Sequence, residues 1–250
     1  MLEYHKNLEI FGDIEEVSMD NYKAYLGNVI YSQDKDTLVV KEKSYILVQD
    51  GIVQGIFKNL PEGFPQENII DWGNNLIIPG FSDMHVHASQ FLQRGMGMDK
   101  KLLDWLNTYT YPTEAKFQDK EHAKKIYGLF VDELVRQGTL HVNCFSSIHY
   151  EASEILFELL LERGLFAFTG KLNMDQNSPE FYLEDTESSL RSTEDFISNY
   201  RQKGNVQAAI VPRFTITCSE ELLAGLGKLA QQYGTPVHSH MCEAISTIKA

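Results

Sequence analysis

From residue 75 onward, short apolar strands alternate with amphipathic helical segments, and this rhythm constrains the fold more than any other feature of the sequence. The segments predicted as strands are 76–87, 139–148, 165–174, 206–217 and 235–240. Helices are predicted at about 100–109, 119–137, 151–163, 187–202 and 219–233. Strands separated by helices pair in parallel through right-handed crossovers. The pattern predicts an α/β fold with about five βα units, which would be part of the set if the fold is a (β/α)8 barrel.

The residues before this point have a different character. Three segments are rich in Val, Ile, Tyr and Leu and are separated by turn signals such as Asp50-Gly51. They lie at 22–33, 36–51 and 52–65. Segments of this kind form antiparallel hairpins. We therefore predict a β-rich flanking domain at 1–74 and the first part of a barrel at 75–250.

Composition limits the class of protein. The chain has 250 residues, with 22 Lys and Arg against 35 Asp and Glu and a net charge of −13. Such an acidic surface repels phosphate backbones, so nucleic acid is excluded as a partner. No apolar run reaches the ~18 residues of a membrane span, and the first residues lack signal-peptide features. We expect a cytoplasmic protein with no membrane partner.

The cysteines exclude two further classes. Cys144, Cys218 and Cys242 are widely spaced, and no Cys-x-x-Cys segment is present. A disulfide framework and a Cys-rich structural zinc site are therefore not expected. The deaminases that hold zinc with one His and two Cys are excluded for the same reason. Buried apolar positions are predicted for all three cysteines.

A His-x-His motif ends the first barrel strand. His85 and His87 are two residues apart, so both side chains point to the same face of a strand. The carboxyl ends of barrel strands carry active sites, and imidazole is a common ligand of zinc and similar metals. The motif therefore predicts a metal site, although structural histidines would give the same pattern.

A second cluster ends the fifth predicted strand. His238 and His240 repeat the His-x-His spacing, and Glu243 follows just beyond them. Strands one and five of a small barrel face each other, so the two clusters can surround one ion. A carboxylate beside such an ion can move a proton. For His238, a hydrogen-bonded interior or rim position is an equally good interpretation.

Several longer motifs resemble a known family. PGFSDMHVH, at 79–87, resembles the first-strand signature of the amidohydrolase superfamily. The stretches HASQFLQRG, LLDWLNTYTYPTE, PRFTITCS and HSHMCE resemble the guanine deaminases within it. The resemblance covers the chain from about residue 25. It implies a distorted (β/α)8 TIM barrel of the metal-dependent hydrolase type, with a flanking N-terminal β-sandwich.

The resemblance also implies roles for individual residues. His85, His87 and His240 match the metal ligands of the family. Glu243 matches the glutamate that moves protons between the metal's water and the ring.

A second group of residues would bind the substrate. Gln90 matches the glutamine that hydrogen-bonds the purine edge, and Arg213 with Phe214 matches the arginine and aromatic residue that hold the base. Trp105 lies in a segment that forms the pocket wall in guanine deaminases. Without the family, Arg213 would be interpreted as a surface ion-pair residue and Phe214 as core.

The expected activity is zinc-dependent hydrolytic deamination of guanine to xanthine and ammonia. The resemblance implies one zinc or iron ion per subunit, a small purine substrate and a homodimer. The family also has a histidine after strand six and an aspartate after strand eight, so we expect these 250 residues to be the front of a longer enzyme. Two interpretations stay open: deamination of another amino-heterocycle, such as a modified purine, pterin or triazine, and a catalytically incomplete, metal-poor barrel serving as a binding or assembly module.

Overall fold

A computed structural model describes residues 21–241 of the chain. The chain divides into two compact units, Met1–Pro79 and Gly80–Ala250. No helix among the described residues is both long enough and apolar enough to cross a membrane.

The described part of the first unit is a four-stranded sheet. Its strands are β1 (Tyr22–Ser32), β2 (Leu38–Gln49), β3 (Ile52–Phe57) and β4 (Ile69–Ile77). Antiparallel pairing of β1 with β2 and of β2 with β3 confirms the predicted hairpins, and β4 pairs parallel to β1. Asp50 and Gly51 have positive φ angles of 50° and 79°, as a tight two-residue hairpin turn requires. The flanking β-sandwich itself remains a prediction.

The second unit contains the alternating strands and helices. Its strands are β5 (Phe81–His87), β6 (Thr139–Phe145), β7 (Phe166–Gly170), β8 (Leu172–Asn173), β9 (Gln202–Lys203), β10 (Val206–Ala208) and β11 (Val211–Pro212). One sheet has the order β5-β6-β7-β10-β9, and β8 pairs with β11. β5, β6, β7 and β10 are mutually parallel, which confirms the predicted α/β arrangement.

Four long helices and one composite helical segment connect these strands. The helices are α1 (Leu102–Trp105), α2 (Tyr111–Glu114), α3 (Lys120–Arg136), α4 (Tyr150–Glu162), α5 (Thr186–Tyr200) and α6 (Glu220–Tyr233). The side chains of Asp119, Asp185 and Ser219 cap α3, α5 and α6, and each such cap contributes about 1 kcal/mol. In place of the single helix predicted at 100–109, α1 and α2 are joined by the π-helical turn Leu106–Thr110.

Helices α3 and α4 cover one face of the five-stranded sheet. Val142, Cys144 and Ala167 point from the strands into a core that includes Phe130 of α3 and Leu156 of α4. Burial of one such apolar side chain contributes roughly 1.5–3 kcal/mol. The predicted burial of Cys144 and Cys218 is confirmed, whereas Cys242 lies outside the described residues.

The opposite face of this sheet carries residues of two kinds. At its carboxyl end, His87 of β5 pairs in register with Phe145 of β6. Further from that end, Phe166 and Phe168 are 51% and 36% exposed. The face therefore carries His87 and Phe145 at its carboxyl end, and further down it carries exposed phenylalanines beside His141, which stacks on Phe166.

The strand predicted at 76–87 is wrong as a single element. β4 ends at Ile77 and pairs with β1 through Val29, so these residues belong to the first sheet. β5 begins only at Phe81. Pro79 lies in the break and has no N–H to continue a ladder.

The strand predicted at 206–217 is also shorter than expected. β10 pairs with β7, and after two residues β11 pairs with β8 instead. The chain then turns where the Thr217 N–H donates to Phe214 O at 3.1 Å. Of the strand predicted at 235–240, one parallel bridge between Ile210 and Val237 is formed. The backbone N–H groups of His238 and His240 also donate to Ile210 O at 2.9 Å and to Arg213 O at 3.1 Å, which holds the two histidines alongside residues 210–213.

Candidate metal centre and adjoining pocket

Three histidine side chains meet at the carboxyl end of the sheet. His85 and His87 come from β5, and His240 follows the bridge at Val237. One ligand nitrogen from each ring lies within 4.8 Å of those of the other two. His87 Nε2 and His240 Nε2 are 2.9 Å apart. The structure thus brings together the three histidines that the sequence singled out, and metal binding by them remains a prediction.

A register shift in β5 directs the first two histidines. The ladder with β6 is irregular between Asp83 and Val86, and Asp83 Oδ1 accepts the backbone N–H of His85 at 3.1 Å. An extra residue in one strand bends it and redirects its side chains. After the shift, Val86 packs toward the helices and His87 points to the opposite face.

Hydrogen bonding determines which nitrogen of His240 carries the proton. His240 Nδ1 lies 2.7 Å from the backbone carbonyl oxygen of Arg213. A carbonyl oxygen only accepts, so Nδ1 must carry the proton. The lone pair is then on Nε2, which faces His87. A second partner that fixes the tautomer in this way is typical of metal-binding histidines.

His87 also fits a metal ligand. Burial, followed by the charges of Arg213, His240, His85 and His238, lowers the pKa of His87 well below its ordinary 6.5, so the ring is neutral at pH 7. Its Nδ1 is buried without a hydrogen-bond partner among residues 21–241. Two imidazole lone pairs 2.9 Å apart repel unless a proton or cation lies between them. A donor set of three imidazoles suits a divalent ion of the zinc class.

Phe145, which the sequence did not single out, supports the histidines. Its ring stacks on His87 at 4.3 Å and on His240 at 4.5 Å between ring centroids, and it is fully buried. The apolar contact holds both imidazoles and excludes water from one side. The available signal was its position at the end of β6, in register with His87.

His238 lies beside the three histidines, outside that group. Its Nε2 is 3.2 Å from His85 Nδ1, a contact that leaves the other nitrogen of His85 free. Burial, followed by the charges of His85 and His240, lowers the pKa of His238 to about 4. The interior, hydrogen-bonded position that the sequence left open is therefore the one observed.

A small cavity adjoins the histidines, with a volume of about 170 Å³. It is lined by His85, His87, Gln90, Trp105, Leu106, Arg213, Phe214 and His240. The cavity thus combines the three imidazoles with every residue that the sequence suggested for substrate binding. Sequence reasoning missed Leu106.

Glu114, which does not line the cavity, hydrogen-bonds to two residues that do, Arg213 and Gln90. Its Oε2 accepts from Arg213 Nη1 at 2.6 Å, and its Oε1 accepts from Gln90 Nε2 at 2.9 Å. Longer bonds of 3.4 Å reach Oε1 from Arg213 Nη2 and from Ser89 Oγ. Glu114 is fully buried. The only sequence signal was its place in the family-like stretch ending in YPTE.

Arg213 is a buried cation and not the surface residue that its type alone suggests. Only 2% of it is exposed. Burial alone would lower the pKa of Arg213, but the charge and hydrogen bonds of Glu114 outweigh burial and raise it above the usual value. The guanidinium also lies over the Tyr111 ring, 5.1 Å from its centroid. Arg213 therefore stays charged beside the cavity.

Phe214 and Trp105, the two aromatic residues that line the cavity, differ in burial. Phe214 is buried in a cluster with Leu172 and Met174. Trp105 is partly exposed, and its Nε1–H donates to Met96 O at 2.8 Å, which holds the loop before α1 against the indole. Both rings offer an apolar surface for a planar ligand.

Glu243, the proposed proton carrier, lies outside the described residues.

Comparisons with known proteins agree with this geometry. The sequence profile of the Amidohydrolase family matches residues 76–250. Guanine deaminase of Dictyostelium discoideum is 38% identical over 240 residues, which cover 88% of this chain and 53% of that protein. Guanine deaminase of Escherichia coli (strain K12) is 34% identical over 206 residues, covering 81% and 47%.

A solved structure shares the fold. The crystal structure of guanine deaminase from C. acetobutylicum, with guanine bound in its active site, is similar with a TM-score of 0.86 and 43% identity. The similarity covers 90% of this chain and 54% of that one. The present chain therefore spans about half the length of the relatives it matches.

Proposed function

Because the chain belongs to the amidohydrolase family, we propose that the protein containing it deaminates guanine hydrolytically, giving xanthine and ammonia. The observation that carries this proposal is the cavity itself, where three imidazoles adjoin a buried guanidinium and an amide. The relatives named guanine deaminase support the choice of substrate class, a single neutral purine.

We propose one zinc ion per subunit, with iron as the alternative, held by His85, His87 and His240. When bound, such an ion acts as a Lewis acid and lowers the pKa of a water molecule toward about 7. Phe145 and the carbonyl oxygen of Arg213 keep the imidazoles oriented for this role. A ring contact and a hydrogen bond, made by different residues, thus orient the imidazoles for the same ion.

The substrate would be held by groups on the opposite side of the cavity. Arg213 donates to ring oxygen or nitrogen, Gln90 hydrogen-bonds the purine edge, and Phe214 and Trp105 pack against the ring. Glu243 moves a proton from the attacking water to a ring nitrogen and assists departure of the amino group. The net change replaces one C–N bond by a C–O bond, with guanine and water giving xanthine and ammonia.

We further propose that the βα units are the first part of a (β/α)8 barrel, with residues 1–74 as a flanking β-sandwich domain. The apolar side chains Phe166 and Phe168 on the uncovered sheet face support this, since a closed barrel fills its interior with such residues. A cytoplasmic homodimer completes the proposal. Size-exclusion chromatography with light scattering on the full-length protein tests the dimer.

Ammonia release tests the activity. Zinc-loaded full-length protein is given guanine, a pterin and a triazine in parallel at equal concentrations. We expect guanine to be turned over fastest, and preference for another heterocycle would assign the protein to a neighbouring activity. Replacing Glu243 by Gln should leave zinc bound and lower turnover by about 10²–10⁴. Parent-like turnover by Glu243→Gln would exclude the proton-carrier role.

A further inference from the structure

Glu114 contacts both polar residues of the cavity that are expected to recognise the substrate. It lies in α2, 99 residues before Arg213 and 24 residues after Gln90, so only the tertiary fold brings the three together. Its carboxylate is fully buried, and the contacts of 2.6 Å and 2.9 Å are short. A carboxylate in this position can control the two side chains beyond it.

The chemistry of a carboxylate determines the orientation of Gln90. An ionised carboxylate only accepts hydrogen bonds, so the side of the Gln90 amide that faces Glu114 must be its NH₂ group. The carbonyl oxygen of Gln90 then points away from Glu114. Because Gln90 also lines the cavity, that oxygen is the group available to accept from a ligand.

The carboxylate of Glu114 also occupies some of the hydrogen-bond donors of Arg213. Both terminal nitrogens of the guanidinium donate to Glu114, so only the remaining N–H groups of Arg213 are available to a ligand. The paired charges also cancel within the buried region. The cavity can therefore take a neutral ligand without leaving Arg213 as an uncompensated charge.

We propose that Glu114 is a positioning residue that fixes which atoms of Gln90 and Arg213 face the cavity. The Gln90 carbonyl oxygen then selects a purine edge with an N–H donor, and the remaining Arg213 N–H groups donate to a purine oxygen or nitrogen. The inference rests on the proposed function for its ligand class. Guanine carries N–H donors at N1 and at the 2-amino group, whereas unsubstituted purine has a lone pair at N1 and a C–H at C2. Glu114 acts through its neighbours, with no contact to the ligand required.

The test compares parent and Glu114→Gln as zinc-loaded full-length protein. A glutamine at 114 can both donate and accept, so Gln90 becomes free to turn its NH₂ group toward the cavity. We expect the KM for guanine to rise at least about tenfold, while the inhibition constant of unsubstituted purine changes less than about twofold. General damage to the cavity would weaken both ligands equally.

An equal change in the two constants, or no change in either, would overturn the inference. The matched control is Glu187→Gln, which removes the same charge from an exposed pair with Arg191 at 2.7 Å. That variant should keep the parent constants for both ligands.

A second measurement needs neither turnover nor a folded variant. The side-chain amide of Gln90, assigned in the parent protein by through-bond NMR correlations to its own backbone, should exchange with solvent at least about tenfold more slowly than the amide of exposed Gln33. If the parent fails to deaminate guanine, the proposed function fails, and this exchange rate still decides the orienting role. Exchange of the Gln90 amide as fast as that of Gln33 would overturn the inference.

Discussion

Two arginine–glutamate pairs in this protein have the same shortest distance, 2.6 Å, and opposite surroundings. In the pair of Arg213 with Glu114, the side chains are 3% and 0% exposed, whereas those of Arg136 and Glu133 are 68% and 25% exposed. The exposed pair lies within one helix, three residues apart. The buried pair joins α2 to the chain after β11 and reaches the cavity. The two pairs therefore differ in their effect on stability despite their equal distances, because water screens the charges of the exposed pair and is excluded from the buried pair.

The largest effect should come from breaking the buried pair. Glu114→Ala leaves the Arg213 charge buried without a partner, and we expect the free energy of unfolding to fall by about 3–5 kcal/mol. Urea unfolding monitored by circular dichroism measures the loss.

The control for this prediction removes both charges. In Glu114→Met combined with Arg213→Met, no charge is left unpaired, so we expect stability close to that of the parent. A double variant as unstable as Glu114→Ala would show that shape, and not the unpaired charge, dominates at this site.

A smaller effect should follow from the contact between His238 and His85. Because the 3.2 Å contact orients a proposed metal ligand from outside, His238→Ala should lower zinc affinity about 10–100-fold. Titration against a competing chelator gives the affinity. His141→Ala is the matched control, since His141 stacks on Phe166 and belongs to neither the three histidines nor the cavity lining. Equal losses in the two variants would argue against an orienting role for His238.

The smallest effect is expected at the exposed pair. The hydrogen bond from Arg136, followed by that from Gln137, lowers the pKa of Glu133 to about 2 from its ordinary 4.5. A lowered carboxyl pKa stabilises the folded state above about pH 4.5, and this contribution is lost as the pH falls toward 2. We expect Glu133→Gln to shift the urea midpoint barely at pH 7, and any difference from the parent to vanish by pH 2. A difference that grows as the pH falls would contradict the sign of this shift.

The contrast between a local pair and a tertiary pair also separates the features that could be predicted from the sequence from those that could not. The meeting of the two His-x-His clusters followed from local rules, since residues two apart share a strand face and parallel strands end together. The family resemblance then selected His240 over His238. The four long helices were recognisable by their amphipathic pattern. These features depend on neighbouring residues, which a single sequence displays directly.

Features that depend on tertiary contacts were not predictable in this way. Nothing in the sequence pairs Glu114 with Arg213 across 99 positions, and Phe145 looked like any strand residue. The break at Pro79 and the division of 206–217 into β10 and β11 were missed because apolar runs do not show which neighbour a strand pairs with. The sequence therefore indicated the three histidines of the candidate metal centre better than the groups that orient them.

A crystal structure of the zinc-loaded full-length protein with guanine, using anomalous scattering at the zinc edge, tests the central claim most directly. We predict an ion about 2.0–2.1 Å from a nitrogen of each of His85, His87 and His240. Guanine should lie against Phe214, with the Gln90 carbonyl oxygen accepting from a purine N–H. Zinc bound elsewhere, or guanine absent from this cavity, would contradict the account.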